Sequence, residues 1–338
     1  MTADHFGFAS PLLVIRGAVF WSYLEGGVVL LLGLFALSWR DVRGSRGLEK
    51  LIPFGPVLYA VAIAVFSGDH FGTPRAVASI VPSWMPWHLF WTYFVGAALI
   101  AAALSIAAQK ESQLAAAMMG IMLLLFVLMM HIPNCFRVPH ERIVYTIAVR
   151  ESCLSAGAFA YAAALASDWR RGAYRGWGLA LRSSIWTKMV TIARVVIGIA
   201  IIDFGVQQLL FPAYAPGIPQ QGPEIVVVPA WIPAHALCAY VSGAIFLLCG
   251  VLLLLNWRPR LIAGIFAAFL FVLIAFIYVP QSIRYALNIG LGLNYLAIHF
   301  MLAGTVLFLA RALPRDATEP VAVNVPAGRA DARVGALR

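Results

Sequence analysis

Apolar residues run along this chain in long blocks, and polar residues fall mainly between the blocks. Nine blocks have the roughly 17–25 residues needed to cross a hydrocarbon core about 30 Å thick. They span residues 18–38, 51–71, 88–108, 113–132, 143–166, 187–208, 235–255, 261–279 and 288–311. The intervals hold Pro, Gly, Trp and most of the charge, as is typical of loops at a membrane surface. The pattern predicts an all-α polytopic membrane protein with nine transmembrane helices.

The composition excludes a soluble globular protein. The chain is 62% hydrophobic and 11% charged, whereas globular domains average about 25% charged residues. A soluble fold could not bury so much apolar surface, so membrane lipids are the first expected partner. The formal net charge of +10 does not indicate nucleic acid binding, because that requires a folded basic surface.

Lys and Arg residues are concentrated in alternate loops. Of the 24, 17 lie after the odd-numbered predicted helices, five lie in the opposite set of loops, and Arg150 and Arg194 lie inside helices. Because cytoplasmic loops are enriched in Lys and Arg, the N-terminus is predicted outside and the C-terminus in the cytoplasm. The predicted location is the cytoplasmic (inner) membrane. The first block has neither the basic cluster nor the cleavage site of a signal peptide, so it is expected to be a retained helix.

An internal repeat divides most of the chain at a constant offset of 147 residues. VPSWMPWHLFWTYFVG at 81–96 and VPAWIPAHALCAYVSG at 228–243 are identical at seven of sixteen positions. Downstream, HIPNCFR at 131–137 overlays YVPQSIR at 278–284. Each repeat holds four predicted helices, and an even number of crossings makes the two units parallel. The repeated residues are expected to be structural: Trp84, Pro86, His88, Trp231, Pro233 and His235.

The repeat defines four predicted segments. An N-terminal helix and its cytoplasmic loop occupy residues 1–45, and two four-helix bundles occupy 46–172 and 173–313. Residues 314–338, rich in Pro, Ala, Arg and Asp, are predicted to form a disordered cytoplasmic tail.

Both units resemble the DoxX-like membrane proteins. The resemblance depends on Val-Pro-x-Trp-apolar-Pro ahead of a helix that carries an early glycine, Gly96 or Gly243. It implies a four-helix membrane fold and, for some members, association with thiosulfate:quinone oxidoreduction or with thiol redox complexes. This chain departs from the family by its fused duplication and its additional helix. It also lacks the acidic residue often found just after that glycine, having Ala97 and Ala244 there.

Ionisable residues gather at the predicted outer side of the first unit, where each is a functional candidate because charge in lipid is costly. The candidate polar cluster comprises Asp69, His70, His88, His131, Arg150 and Glu151. In the second unit, only His88 keeps its counterpart. Any chemistry is therefore expected in the first unit, the alternative being interhelical salt bridges or hydrogen bonds to lipid.

Single pairings can also be predicted. Arg150 and Glu151 point about 100° apart on a helix, so they are expected to face different neighbours, with Asp203 a conceivable partner for Arg150. Asn294 and His299 have no counterparts in the first unit and predict interhelical hydrogen bonds near mid-membrane.

Three ligands are compatible with these residues. His70, His88 and His131, with Asp69, could bind a metal, and two of the histidines could ligate a haem, although no metal-binding spacing occurs. A quinone headgroup could accept hydrogen bonds from His88 or Arg150 and stack on Trp84 or Trp91. No catalytic residue is assigned.

The leading hypothesis is a component of a membrane redox system, an oxidoreductase subunit if it is an enzyme at all. It would carry a quinone- or partner-facing site at the outer face of the first unit, with a redox protein as possible partner. One alternative is a small-solute transporter, although mid-membrane helix breaks are not expected at corresponding positions of the two units. The other alternative is a non-catalytic membrane scaffold.

Overall fold

The computed structural model describes residues 19–170, 179, 181–216 and 226–315. Within these residues the chain forms helices and no strand, with one isolated antiparallel bridge between Tyr214 and Val226. The all-α prediction is confirmed. Most of the predicted disordered tail, residues 316–338, lies outside the described residues, as do residues 1–18.

Nine main helices follow the apolar blocks. They are α1 (Phe20–Ala36), α2 (Gly55–Gly72), α3 (His88–Ala107), α4 (Ser112–Phe126), α5 (Arg142–Arg170), α6 (Ser183–Leu210), α7 (His235–Leu254), α8 (Pro259–Leu273) and α9 (Leu293–Ala312). Helices α4 and α8 continue through π-helical turns at Val127–His131 and Ile274–Tyr278 into short helices, Ile132–Arg137 and Val279–Arg284. Shorter helical segments are Trp39–Gly44, the 3-10 helix Gly47–Phe54, and Pro74–Ala78.

Eight of these helical stretches are long and apolar enough to cross a membrane. A helix is suited to this because it satisfies its own backbone hydrogen bonds. The described part of α1 has 17 residues and is apolar but shorter than the other eight. The polytopic membrane fold is thus confirmed, and the count of nine crossings stays a prediction.

The helices of the two predicted bundles pack across the boundary between them. Helix α5, the fourth of the first unit, lies against α6, the first of the second unit. In the corresponding way α9 lies against α2, and α5 and α9 also contact each other. One hydrophobic core combines first-unit residues with Met301 and Phe308 of α9, and the other combines second-unit residues with Leu58 of α2. Each core therefore takes residues from both units.

Small residues allow this close packing. A Cβ atom at Gly157 of α5 would lie 2.5 Å from Thr305 Cγ2 of α9, and one at Gly304 would lie 2.9 Å from the Tyr59 nitrogen of α2. In lipid, where helices associate by van der Waals contact, such small residues let backbones approach. Gly157 and Gly304 are themselves a repeat pair at the offset of 147.

Backbone irregularities recur at the same offset. Trp87 and Ala234, just before α3 and α7, both have left-handed backbone angles, with φ of 57° and 54°. The two π-helical turns also correspond, beginning at Val127 and Ile274. Trp87 and Ala234 differ in side chain, so their shared conformation belongs to the geometry of this turn. The parallel orientation of the two units stays a prediction.

Candidate functional site

A cavity of about 650 Å³ lies among α5, α6, α7, α8 and α9. We call it the Arg150 cavity. Its wall is mostly apolar, with Phe204, Phe246, Phe269 and Phe276 among its lining residues. Small-molecule sites commonly have volumes of about 300–1,000 Å³, apolar walls and a few polar groups. The cavity therefore has the size and character of a ligand site.

Helices α5 and α9 bring the polar groups to this cavity. Thr146 and Arg150 come from α5, Tyr295 and His299 from α9, and Tyr278 from the second π-helical turn. The His299 ring stacks on Tyr278, with 3.4 Å between ring centroids and 17° between planes. His299 Nδ1 lies 2.7 Å from the Tyr295 carbonyl oxygen. A carbonyl only accepts, so Nδ1 carries the proton, and Nε2 of the neutral ring is an acceptor.

Arg150 contacts its sequence neighbour Glu151, with 3.7 Å between Nη2 and Oε1. The prediction that these residues do not pair is wrong. Their side chains start about 100° apart on the helix, but both are long enough to bend towards each other. Arg150 remains 25% exposed, and its buried Nε donates to no acceptor within the described part of the chain. The guanidinium thus has hydrogen-bonding capacity left at the cavity wall.

Further polar groups surround Arg150. His131 ends the first π-helical turn, and its ring interacts electrostatically with Arg150. Tyr295 and His299 do so from α9. Of the predicted cluster, the structure therefore brings together His131, Arg150 and Glu151. The sequence pattern does not predict Tyr278 or Tyr295 as site residues. For His299 it predicts an interhelical hydrogen bond, whereas the structure has a hydrogen bond to Tyr295 of the same helix.

Asp203, the conceivable partner of Arg150, is engaged elsewhere. Its Oδ2 accepts a hydrogen bond of 2.8 Å from Gln207 Nε2. The Gln207 amide also bonds Thr146 Oγ1 of α5, at 3.0 Å. The polar link between α5 and α6 at this level therefore runs through Gln207.

Asp69 is part of a separate network that joins three helices. Its carboxylate accepts hydrogen bonds from Ser22 Oγ of α1 at 2.8 Å and from Asn294 Nδ2 of α9 at 2.7 Å. The predicted interhelical hydrogen bond of Asn294 is confirmed, although Asn294 is the second residue of α9 rather than a mid-helix residue. Asp69 does not line the Arg150 cavity.

His70 and His88 are also separate from Arg150. His70 Nδ1 lies 2.8 Å from the Phe66 carbonyl of its own helix, and its Cβ lies against the place where a Gly96 side chain would begin. His88 and its counterpart His235 are the first residues of α3 and α7. Neither His70 nor His88 lines the Arg150 cavity.

The tryptophans differ between the two units. Trp84 is 68% exposed, whereas Trp231 is 43% exposed, lines the Arg150 cavity and donates from Nε1 to the Phe276 carbonyl at 3.1 Å. Pro233 lines the cavity too. Trp91 packs against Phe90 and Phe94, away from this cavity. The aromatic residues beside Arg150 thus come from the second unit.

The proposed metal ligands are not assembled. Among the residues that the structure describes, no group of three or more His, Cys, Asp or Glu side chains could hold a metal ion. His70, His88 and His131 come from the end of α2, the start of α3 and the first π-helical turn. The helix packing does not bring these three points together.

Comparison with known proteins adds a family likeness in the second unit. The DoxX family model matches residues 189–279, which cover most of α6, all of α7 and α8, and the second π-helical turn. No curated protein and no solved structure matches the chain. In residues 189–279 the protein is similar to the DoxX proteins, and its apolar helices are those of a membrane protein.

Proposed function

We propose that this protein is a component of a membrane redox system that binds the headgroup of a lipid-soluble quinone in the Arg150 cavity. The observation that carries the proposal is that the buried Arg150 Nε, at a largely apolar cavity of about 650 Å³, has no acceptor in the part of the chain that the structure describes. A buried donor without a partner is unfavourable. A ligand that brings an acceptor oxygen on an apolar body relieves it.

A quinone has the required chemistry. Its two carbonyl oxygens accept hydrogen bonds, its ring stacks on aromatic side chains, and its isoprenoid chain is soluble in lipid. Arg150 is the donor to one carbonyl, and Trp231, Tyr278 and Tyr295 supply aromatic surface. Reduction to the quinol takes two electrons and two protons. A redox protein supplies the electrons and water supplies the two protons, which the Tyr278 hydroxyl and the His299 imidazole in the cavity wall relay to the quinone oxygens.

The proposed site differs from the position expected from the sequence. Arg150 stays in it, and Glu151 and His131 interact with Arg150 from outside the cavity lining. Asp69, His70 and His88 are assigned to packing and hydrogen bonding between helices. The second unit contributes most of the wall. The location between the two units follows from the packing of α5 against α6 and α9.

The orientation in the membrane is part of the proposal. Arg150 lies near the start of α5, whereas the basic loops meet the opposite ends of the same helices. Since basic loops remain in the cytoplasm, the Arg150 cavity opens towards the outside of the cytoplasmic (inner) membrane. The N-terminus is then outside and the C-terminus inside.

Binding of decyl-ubiquinone to the purified protein tests the proposal. Saturable quenching of tryptophan fluorescence is expected, and native quinone should appear in a solvent extract. Arg150→Gln should weaken binding about tenfold, because a hydrogen bond to a charged group contributes about 1.5–3 kcal/mol. Lys188→Gln, at an exposed residue near the other end of α6 that does not line this cavity, is the matched control. Absence of both extracted quinone and saturable quenching would overturn the proposal.

Transport of a small solute is a second candidate, which the paired π-helical turns favour. Such turns are frequent at functional sites, and the two lie at corresponding positions, in the later parts of the helical stretches 112–137 and 259–284. The second turn lines the Arg150 cavity. An aromatic carboxylate suits an apolar cavity with one arginine, so benzoate uptake into proteoliposomes is the test. Uptake abolished by Glu151→Gln, without quinone binding, would favour transport.

A further inference from the structure

A second large cavity lies at the opposite ends of α5, α6 and α9. Its volume is about 1040 Å³, and it is lined by the segment from Ser38 to Pro53 as well as by residues near the end of α5, the starts of α6 and α8, and the end of α9. We call it the basic-end cavity. It shares no lining residue with the Arg150 cavity.

Positive charge dominates this cavity. Five arginines line it, against three acidic residues, Asp41, Glu49 and Asp168. The arginines are Arg170, Arg194, Arg260, Arg311 and Arg315. The described lining therefore carries two positive charges more than negative ones. Fixed charge of one sign in a cavity attracts a counter-ion of the other sign.

Two of the arginines belong to the structure of the wall. Arg260 makes two bonds to the Glu49 carboxylate, at 2.7 and 2.5 Å, and donates to the carbonyls of Ala310 and Leu313 at 2.8 and 2.7 Å. Arg311 Nη2 lies 3.0 Å from Asp168 Oδ2. Two of the three acidic residues, Glu49 and Asp168, are therefore already paired with arginines.

Arg170 and Arg194 differ from Arg260 and Arg311 in their ion pairing. No carboxylate forms an ion pair with either of them in the part of the chain that the structure describes. Arg194 Nη1 donates to the Leu253 and Leu254 carbonyls at the end of α7, which positions the guanidinium but leaves its charge uncompensated. Both side chains line the basic-end cavity.

Trp186 gives an independent indication of a ligand. The side chain lines the cavity, is 2% exposed, and its Nε1 donates to no acceptor among the described residues. A buried indole N–H normally has a hydrogen-bond partner. Trp186 and Arg194 both line this cavity, so a ligand with several anionic oxygens would supply an acceptor for the indole N–H and compensate the arginine charge.

We infer that the basic-end cavity binds a phosphate group. Phosphate offers several acceptor oxygens and negative charge, which suit guanidinium groups. The cavity also lies at the ends of the membrane-spanning helices, at the level where lipid headgroups meet a protein, and basic pockets between such helices bind anionic headgroups. The ligand is either the phosphodiester of an anionic phospholipid or a free phosphate anion. This inference is independent of the proposed function at the Arg150 cavity.

Competition between two lipids tests the inference. The purified protein is mixed with equal amounts of dioleoyl phosphatidylglycerol and dioleoyl phosphatidylcholine, and retained lipid is measured by native mass spectrometry. Preferential retention of phosphatidylglycerol is expected. Arg194→Gln should weaken that retention about tenfold, because it removes a charged donor while the new amide can still donate to Leu253. Trp186→Phe should weaken it severalfold.

Lys188→Gln and Trp257→Phe are the matched controls. Both residues are exposed and lie at the same end of the molecule, and neither lines the cavity. Retention in these variants should stay within twofold of the parent. If Arg194→Gln fails to fold, Arg170→Gln replaces it, since Arg170 is exposed.

A second measurement identifies the source of the phosphate. If millimolar inorganic phosphate raises the unfolding temperature and releases the lipid, the site takes a free anion. If inorganic phosphate has no effect while phosphatidylglycerol is retained, the site requires the lipid. Equal retention of the two lipids without an effect of phosphate overturns the inference, as does an equal loss in Arg194→Gln and Lys188→Gln.

Discussion

The two cavities differ in how their arginines are bonded. In the basic-end cavity Arg260 is bonded to a carboxylate and to two backbone carbonyls. In the Arg150 cavity Arg150 forms a long ion pair of 3.7 Å with its neighbour Glu151, and its buried Nε has no acceptor among the described residues. An arginine in a membrane helix can thus be structural or can remain available to a ligand. The bonds of each residue distinguish the two cases.

Removal of the Arg260 partner should have the largest effect on stability. Glu49→Ala leaves the Arg260 guanidinium, which is 11% exposed, without its carboxylate. Breaking a buried ion pair on one side costs about 3–5 kcal/mol, because an uncompensated charge stays buried. The free energy of unfolding, measured by denaturant titration in micelles, should fall by that amount. Glu141→Ala, at an exposed carboxylate, should change the free energy of unfolding by less than about 0.5 kcal/mol. Equal losses in Glu49→Ala and Glu141→Ala would contradict a structural role of the Arg260–Glu49 pair.

Substitution of Asp69 tests whether the hydrogen bonds of a polar residue or its position in the molecule determines its role. It is predicted to lie at the same outer end as the Arg150 cavity, yet it accepts from Ser22 and Asn294. Asp69→Ala leaves both donors without this acceptor and should lower the free energy of unfolding by about 1–3 kcal/mol. Asp69→Asn keeps an acceptor oxygen and should lower the free energy of unfolding by less than Asp69→Ala does. A variant that unfolds normally but binds no quinone would instead assign Asp69 to the ligand site.

Substitution of the repeated tryptophans should have a smaller effect on the free energy of unfolding. Trp231 donates to the Phe276 carbonyl inside the second π-helical turn, where the α-helical bonding pattern is interrupted. Trp231→Phe removes that bond and should lower the free energy of unfolding by about 0.5–1.5 kcal/mol. Trp84→Phe alters an exposed ring and should have almost no effect. Equal losses in the two variants would mean that the units use this residue in the same way.

The sequence predicted the helices well because their ends carry strong signals. The blocks at 88–108 and 235–255 correspond to His88–Ala107 and His235–Leu254, since Trp and Pro precede each start in the sequence. Helix α5 extends beyond its block of 143–166 to Arg142–Arg170, because polar residues at a membrane surface can continue a helix. Apolarity alone did not mark those ends.

The partners of each helix could not be predicted from the same pattern. Apolar blocks show that a helix is buried or faces lipid, but they do not show which helix it contacts. The contact of α9 with α2 and α5 depends on Gly157 and Gly304, which the repeat revealed without indicating their neighbours. Tyr278 and His299 were therefore overlooked as site residues. Position-by-position comparison of the two units predicts functional residues in the first unit only, whereas helix packing places residues of the second unit beside Arg150.

Arg150→Gln should have the smallest effect on folding and the clearest effect on a ligand. The variant removes a guanidinium whose Nε has no acceptor among the described residues and whose ion pair is long, so the free energy of unfolding should fall by less than the ~3–5 kcal/mol expected for Glu49→Ala. Glutamine keeps one amide donor and a similar stem, which preserves packing against the cavity wall. Decyl-ubiquinone binding should nevertheless fall about tenfold, by loss of a charged hydrogen bond. If folding is instead lost as strongly as in Glu49→Ala, Arg150 is a structural residue, and the scaffold hypothesis describes this end of the molecule better.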